Sequence, residues 1–426
     1  MAGTLGPQVL GPRKAGERDP RPLRACGRGR SVGAMDTRVT GGNGDTTGTL
    51  DEALVRLHAS GPERMGWLSN HAPMAVEALV RHGEAPAVHR WIDRYRDKLE
   101  DMPGHESPVT DANWREALGD PRRLADWTRY FALRIAEHPW RAVLAEWWPR
   151  LLPGISGAAT HPVIRTGHAV RTLLSEGGDT EPRRTELAHA LGYWAARHHV
   201  LTGIGRLPAP TTAGAALEAV PLVADRSGGI QERLARITAL PDRPVRVPFG
   251  AEGALGGEGA LGSEGVPGSE GRSGAASGAG PAGTEGVSPA EAAREVLVEL
   301  VRVATHRYAT HAHGEPVMLV HAATAPNAVL RTLPALPSEL WAPSVDAAWA
   351  ASAAVTASYG PGEGGVASAS GGLTAREAFA RAAAHGDEHA IKLADTAWDV
   401  ALWAPGDDAV AVAAALSAVE LIEPLF

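Results

Sequence analysis

Apolar positions recur at three- and four-residue spacing along most of the 426-residue chain. That spacing is the period of an amphipathic helix. In "TLDEALVRLHAS", Leu50, Leu54 and Leu57 share one face, and Thr49 stands where a helix cap belongs. The period continues through "APAVHRWIDRYRDKLE", "DPRRLADWTRYFALRIAEHPWRAVLAEWWPRLL" and "PRRTELAHALGYWAARHHVL". "SPAEAAREVLVELVRVATHRYAT" opens on Ser288 and Pro289, a cap followed by a first-turn proline. "LTAREAFARAAAHG" and "DAVAVAAALSAVELI" add two more helices. Alternating β-branched runs are scarce, and the best of them, "PVRVPFG", is short. The expected fold class is all-α: one large helical domain.

The pattern fails twice. Residues 250–286 form a degenerate Gly/Glu/Ser repeat that offers no apolar surface to bury, the composition of a flexible insertion. Residues 1–34 are rich in Gly, Arg and Pro and lack the apolar stretch of a secretory signal. Met35 is a candidate start. The expected organisation is a disordered leader over 1–48, a first helical part over 49–248, a disordered low-complexity insertion over 249–287, and a second helical part over 288–426.

Composition narrows the function classes. A net charge of −8 with no basic patch argues against nucleic acid and anionic membranes as partners. No apolar run reaches the ~18 residues of a membrane span. Cys26 is the only cysteine, so no internal disulfide and no cysteine metal site can form. A cytoplasmic location is the expectation. The chain has no Walker loop, no G-x-S-x-G elbow, and in "GIGRLP" no more than a fragment of a dinucleotide fingerprint.

Any metal site must then use histidine and oxygen ligands. Of the 17 histidines, His82, His89, His105 and His138 lie in polar stretches and read as solvated. Four share another context. His71 in "WLSNHAPM" precedes Pro73, and His161 in "GAATHPVIRTGHAVR" directly precedes Pro162. His321 in "VMLVHAATAPNAVLR" follows an apolar run and precedes Pro326. His389 in "HGDEHAIK" falls in the first turn of a helix that Asp387 is placed to cap. Proline favours a first helical turn, so each histidine is expected at or near a helix start, facing the space between helices where bundles build metal sites. Each taken alone also fits a capping or core histidine with satisfied hydrogen bonds. His168, seven residues after His161, falls on the same face and reads as either a ligand or a residue behind one.

One lysine adds to this set. The chain holds 41 Lys plus Arg, yet lysine occurs only at Lys14, Lys98 and Lys392. Lys98 reads as an ordinary surface charge. Lys392 lies three residues after His389 in an apolar helix and points the same way. Unlike arginine, a buried lysine can lose its proton. Its neutral amine can then add carbon dioxide and become an anionic carbamate.

"WLSNHAPM", "ATHPVIRTGHAVR", "LVHAATAPNAVLR" and "GDEHAIKLADTA", in that order, resemble the questin oxidase-like family. The resemblance implies a largely helical oxygenase acting with O2 on an aromatic, anthraquinone-like polyketide, by ring cleavage or Baeyer–Villiger-type insertion. It implies a non-haem Fe(II) held by His71, His161, His321, His389 and a CO2-derived carbamate on Lys392, with NADPH as the candidate electron donor. Four neutral imidazoles would leave the charge of Fe(II) uncompensated, and the carbamate would lower it. Arg165 and His168 stand where fungal members carry histidine and tyrosine, so the fungal substrate is not carried over. Trp67, Trp194, Trp398 and Trp403 are candidates for an aromatic slot, with packing of the helical core the first expectation for most of them. Two alternatives stay open. One is a metal-dependent hydrolase with a carbamylated lysine, for which "THAHG" offers His311 and His313. The other is a non-enzymatic helical protein binding a hydrophobic ligand.

Overall fold

A computed structural model describes residues 46–244, 288–403 and 408–425. The expected leader up to residue 45, the insertion over 249–287 and nearly all of "PVRVPFG" lie outside the described residues. The fold is all-α. The first part supplies α1 (Thr46–Leu57), α2 (Ala72–Arg81), α3 (Val88–Tyr95), α4 (Trp114–Ala117), α5 (Leu124–Glu137), α6 (Trp140–Leu151), α7 (His161–Leu174) and α8 (Glu181–Ala196). Two short helices, α9 (Ala213–Glu218) and α10 (Ile230–Ala235), come next. The second part supplies α11 (Pro289–His311), α12 (Pro316–Thr332), α13 (Trp341–Tyr359), α14 (Ala375–His385), α15 (Glu388–Trp403) and α16 (Ala409–Leu421). Among the described residues, the strands are limited to an antiparallel pair at Glu63–Arg64 and Leu68–Ser69 and a parallel pair at Gly205–Leu207 and Ala239–Pro241. No described helix is long and apolar enough to cross a membrane.

Helix α1 begins at Thr46, a turn earlier than Thr49, so the expected boundary at 48/49 falls inside it. The α11 start matches the sequence expectation. Ser288 accepts from the Glu291 backbone N–H, and Glu291 accepts from Ser288, a reciprocal capping box.

Four helices close into a ring: α2 packs on α7, α7 on α12, α12 on α15, and α15 back on α2. The apolar core runs without a break through helices from both sides of residues 245–287. Helix α12 is buried from Leu319 to Leu330. It survives an internal proline, Pro326, because of its neighbour. Pro326 has no N–H to give the Ala322 carbonyl, and the Ser352 hydroxyl of α13 donates to that carbonyl instead, at 2.7 Å.

The α7–α12 contact depends on Gly167. A Cβ there would lie 2.6 Å from both Cα and Cβ of Ala328 on α12. Gly167→Ala is expected to destabilise the fold by ~1–3 kcal/mol through overpacking, read as a lower unfolding midpoint in denaturant. Adding Ala328→Gly should recover part of the loss. An unchanged midpoint would mean that the two helices separate freely.

Candidate metal centre

Each helix of the ring delivers one imidazole to its interior. His71 is the N-cap of α2, with Pro73 behind it and no side-chain capping bond. His161 opens α7, with Pro162 in the first turn. His389 lies in the first turn of α15, whose start Asp387 caps by accepting from the N–H groups of His389 and Ala390 at 2.8 and 3.2 Å. His321 departs from the expected helix start. It is the sixth residue of α12, because the proline that opens this helix is Pro316 and Pro326 lies inside it. The ring centroids of His71 and His161, of His71 and His389, and of His161 and His321 are 4.5, 4.5 and 4.3 Å apart. A nitrogen from each of His71, His161 and His389 falls within 4.8 Å of the others. Lys392, one turn after His389, is 0% exposed and its Nζ has no hydrogen-bond partner.

Hydrogen bonding fixes the tautomers. Nδ1 of His161 lies 2.6 Å from the Ala158 carbonyl, and Nδ1 of His321 lies 2.9 Å from the Met318 carbonyl. A carbonyl oxygen only accepts, so both Nδ1 atoms carry the proton and both Nε2 atoms are bare lone pairs. Those two Nε2 atoms face each other at 2.8 Å. Nδ1 of His71 lies 3.3 Å from a Glu388 oxygen, and its buried Nε2 has no partner. Burial, reinforced by the neighbouring histidines and Lys392, holds His71, His161 and His321 well below the usual imidazole range. Burial lowers the Lys392 amine from 10.5 to about 8, against the opposing pull of Glu388 and Asp387. Converging neutral imidazoles, opposed lone pairs and an orphan amine fit a cation, and imidazole donors suit Fe, Zn, Cu or Ni.

The backbone before His161 is strained. Ala158, Ala159 and Thr160 are all left-handed, with φ of 43°, 54° and 67°. Each such non-glycine residue costs ~1–2 kcal/mol. The turn carries the Ala158 carbonyl back to His161, so the strain serves ring orientation. No glycine occupies these three positions, and nothing in their residue types marks the turn.

Other expectations are corrected. His168 lies among the ring helices two turns along α7 from His161, and its neighbours there are Glu77 of α2 and Asp395 of α15, not the other histidines. Its Nδ1 lies 2.6 Å from Glu77, and its Nε2 lies 4.0 Å from Asp395. Glu77 and Asp395 belong to a buried ionic network with Arg171, Arg331 and Asp399. His82 is not solvated. It bonds Asp395 at 2.8 Å and stacks on Trp398 at 4.1 Å. The tryptophans do not form a slot: Trp67 is 62% exposed, Trp194 packs on Trp148 and bonds the Gly154 carbonyl, and Trp403 packs at the edge of the core. Arg165 turns away to α8 and makes a two-pronged ion pair with Glu186 at 2.6 and 2.8 Å. Lys98 is more than a surface charge, since both oxygens of Glu388 lie within 3.2 Å of its Nζ.

The family model described as questin oxidase-like matches residues 68–175. That stretch of the chain is similar to the family. It spans α2 to α7 and contains His71 and His161, while His321, His389 and Lys392 lie beyond it. No curated protein matches the chain. The questin oxidase-like match supports an oxygenase-type oxidoreductase that takes a small-molecule substrate and O2.

Proposed function

We propose that the protein is a non-haem Fe(II)-dependent oxygenase acting on an aromatic polyketide of anthraquinone type, with His71, His161, His321, His389 and carboxylated Lys392 as the metal ligands. The observation that carries the metal is the pair of bare Nε2 atoms of His161 and His321, 2.8 Å apart. Two neutral acceptors at that distance repel unless a cation lies between them. When bound, Fe(II) supplies one-electron chemistry toward O2. The chain's own part is to hold His71, His161 and His321 neutral by burial and to fix their tautomers through two backbone carbonyls and Glu388.

Lys392 adds the anionic donor. The neutral fraction of its amine attacks the carbon of CO2, the N–C bond forms, and one proton leaves to water, giving a carbamate. Ring cleavage that inserts both oxygen atoms balances without a reductant. Insertion of one atom, with the other leaving as water, needs two electrons, for which NADPH is the donor.

The rival readings have less support. A hydrolase of the carbamylated-lysine kind needs His-x-His at a barrel strand end. Here His311 ends α11, and its Nδ1 lies 2.7 Å from the Thr310 hydroxyl. Histidines that only cap helices would have partners, unlike His71 Nε2.

The test is anaerobic reconstitution with Fe(II), then metal analysis and oxygen consumption with anthraquinone-type substrates. About one iron per chain and substrate-dependent oxygen uptake are expected. No bound metal, with the same result for His71→Ala, would sink the reading.

A further inference from the structure

Three residues outside the ligand set form a stripe. Trp91, Tyr95 and Lys98 are spaced i, i+4 and i+7 along α3 and the 3-10 turn after it, so they lie on one face. Each reaches a different part of the centre. The Trp91 indole donates to the Gly386 carbonyl at 2.8 Å, just before α15. The Tyr95 hydroxyl accepts from the His71 backbone N–H at 3.2 Å. Lys98 Nζ donates to both Glu388 oxygens, at 3.1 and 3.2 Å. Glu388 itself is buried and shares its Oε1 with His71 Nδ1 at 3.3 Å.

We infer that Glu388, clamped by Lys98, is the positioning residue that sets the His71 tautomer and aims its Nε2 at the metal. The inference rests on the metal reading above. A carboxylate accepting from the distal imidazole nitrogen fixes the ring and raises its basicity as a ligand. His161 and His321 take their orientation from backbone carbonyls, and His389 Nδ1 lies 3.4 Å from the Asp387 carboxylate. His71 sits at a helix cap with no capping bond of its own, so a side chain must hold it. Glu388 could itself have been a ligand, since it lies beside His389 in a cluster with Asp387. Lys98 engages both of its oxygens, and one of them also faces His71 Nδ1.

Two measurements on the full chain test this. The first uses the metal-free protein with nitrogen-15-labelled histidine, the His71 signals being identified by their loss in His71→Gln. Wild type and Glu388→Gln, whose amide oxygen accepts the same proton, are expected to show Nδ1-protonated His71. Glu388→Ala is expected to show a tautomer mixture. The second is Co(II) titration. Glu388→Ala should weaken Co(II) binding by about 10–100-fold, Lys98→Met by less, and Glu388→Gln by least. An unchanged tautomer in Glu388→Ala overturns the inference. So does a Glu388→Gln protein as weak as Glu388→Ala with an altered Co(II) spectrum, because the carboxylate would then be a ligand. If wild type binds no Co(II), the metal reading falls, and the tautomer measurement still decides the role of Glu388.

Discussion

His321→Leu is expected to raise the melting temperature of the metal-free protein and to abolish its response to Fe(II). In the metal-free state, the His161 and His321 lone pairs oppose each other at 2.8 Å in a fully buried place. A buried acceptor left without a donor costs ~1–3 kcal/mol, and here two are pressed together. Leucine removes one of them and suits the middle of an apolar helix. The lost Nδ1 contact to the Met318 carbonyl is minor, because that carbonyl lies inside α12, where the helix itself supplies a donor. The metal-free variant should therefore gain about 1–3 kcal/mol. With metal the order reverses. A ligand at 1,000 times its dissociation constant stabilises the native state by ~4.1 kcal/mol, more than the variant's gain, and only wild type has it. Calorimetry in chelator and in anaerobic Fe(II) reads both arms. A variant less stable than wild type in chelator would mean that the two rings share a proton. That arrangement requires either an imidazolium, where burial pushes both groups well below their ordinary range, or a ring whose bare Nδ1 faces a carbonyl oxygen.

The helical period, the cap at Ser288 and the ring-facing placement of His71, His161 and His389 were legible in the chain because they obey local rules. Proline after histidine marks a first helical turn wherever the backbone lies. His321 was found by its flanking residues and misplaced on its helix, because Pro326 reads as a boundary. Only the Ser352 hydroxyl, brought up from α13, lets the helix run through it. What no local rule reaches is pairing between distant segments. Nothing in "RYRDKLED" shows that Lys98 will meet Glu388, 290 residues later. Nothing in the polar surroundings of "LVRHGEA" shows that His82 will meet Asp395, 313 residues on. The sequence leaves His168 open between a ligand and a residue behind one for a related reason: it shares the face of His161, and two turns along α7 that face meets the ionic network of Glu77 and Asp395. The left-handed turn at Ala158–Thr160 is a conformation imposed on residues that do not prefer it, and composition cannot reveal it.

Lys392→Met and Lys392→Arg are expected to lose the metal-dependent activity alike and to part company in stability. Methionine keeps the length of the side chain and removes the amine. Arginine keeps a positive charge that cannot be given up. The wild-type amine is lowered from 10.5 to about 8, first by burial. The unfolded chain thus binds this proton more tightly than the folded one, and folding pushes against it. At ~1.4 kcal/mol per unit the cost is about 3 kcal/mol, fully present below pH 8 and fading as pH rises from 8 to 10.5. Metal-free wild type should therefore gain stability across that window relative to Lys392→Met, which starts more stable and has no such dependence. Lys392→Arg should be the least stable of the three, with no recovery at high pH, because its charge persists. The same window governs carbamate formation, since only the neutral amine adds CO2. Iron loading of wild type should rise with bicarbonate and as pH approaches 8, while neither variant responds. Chemical unfolding at several pH values gives the stabilities, and metal analysis with and without bicarbonate gives the loading. Bicarbonate-independent loading in wild type, or full iron and activity in Lys392→Met, would remove the carbamate from the site and leave the four imidazoles to hold the metal alone.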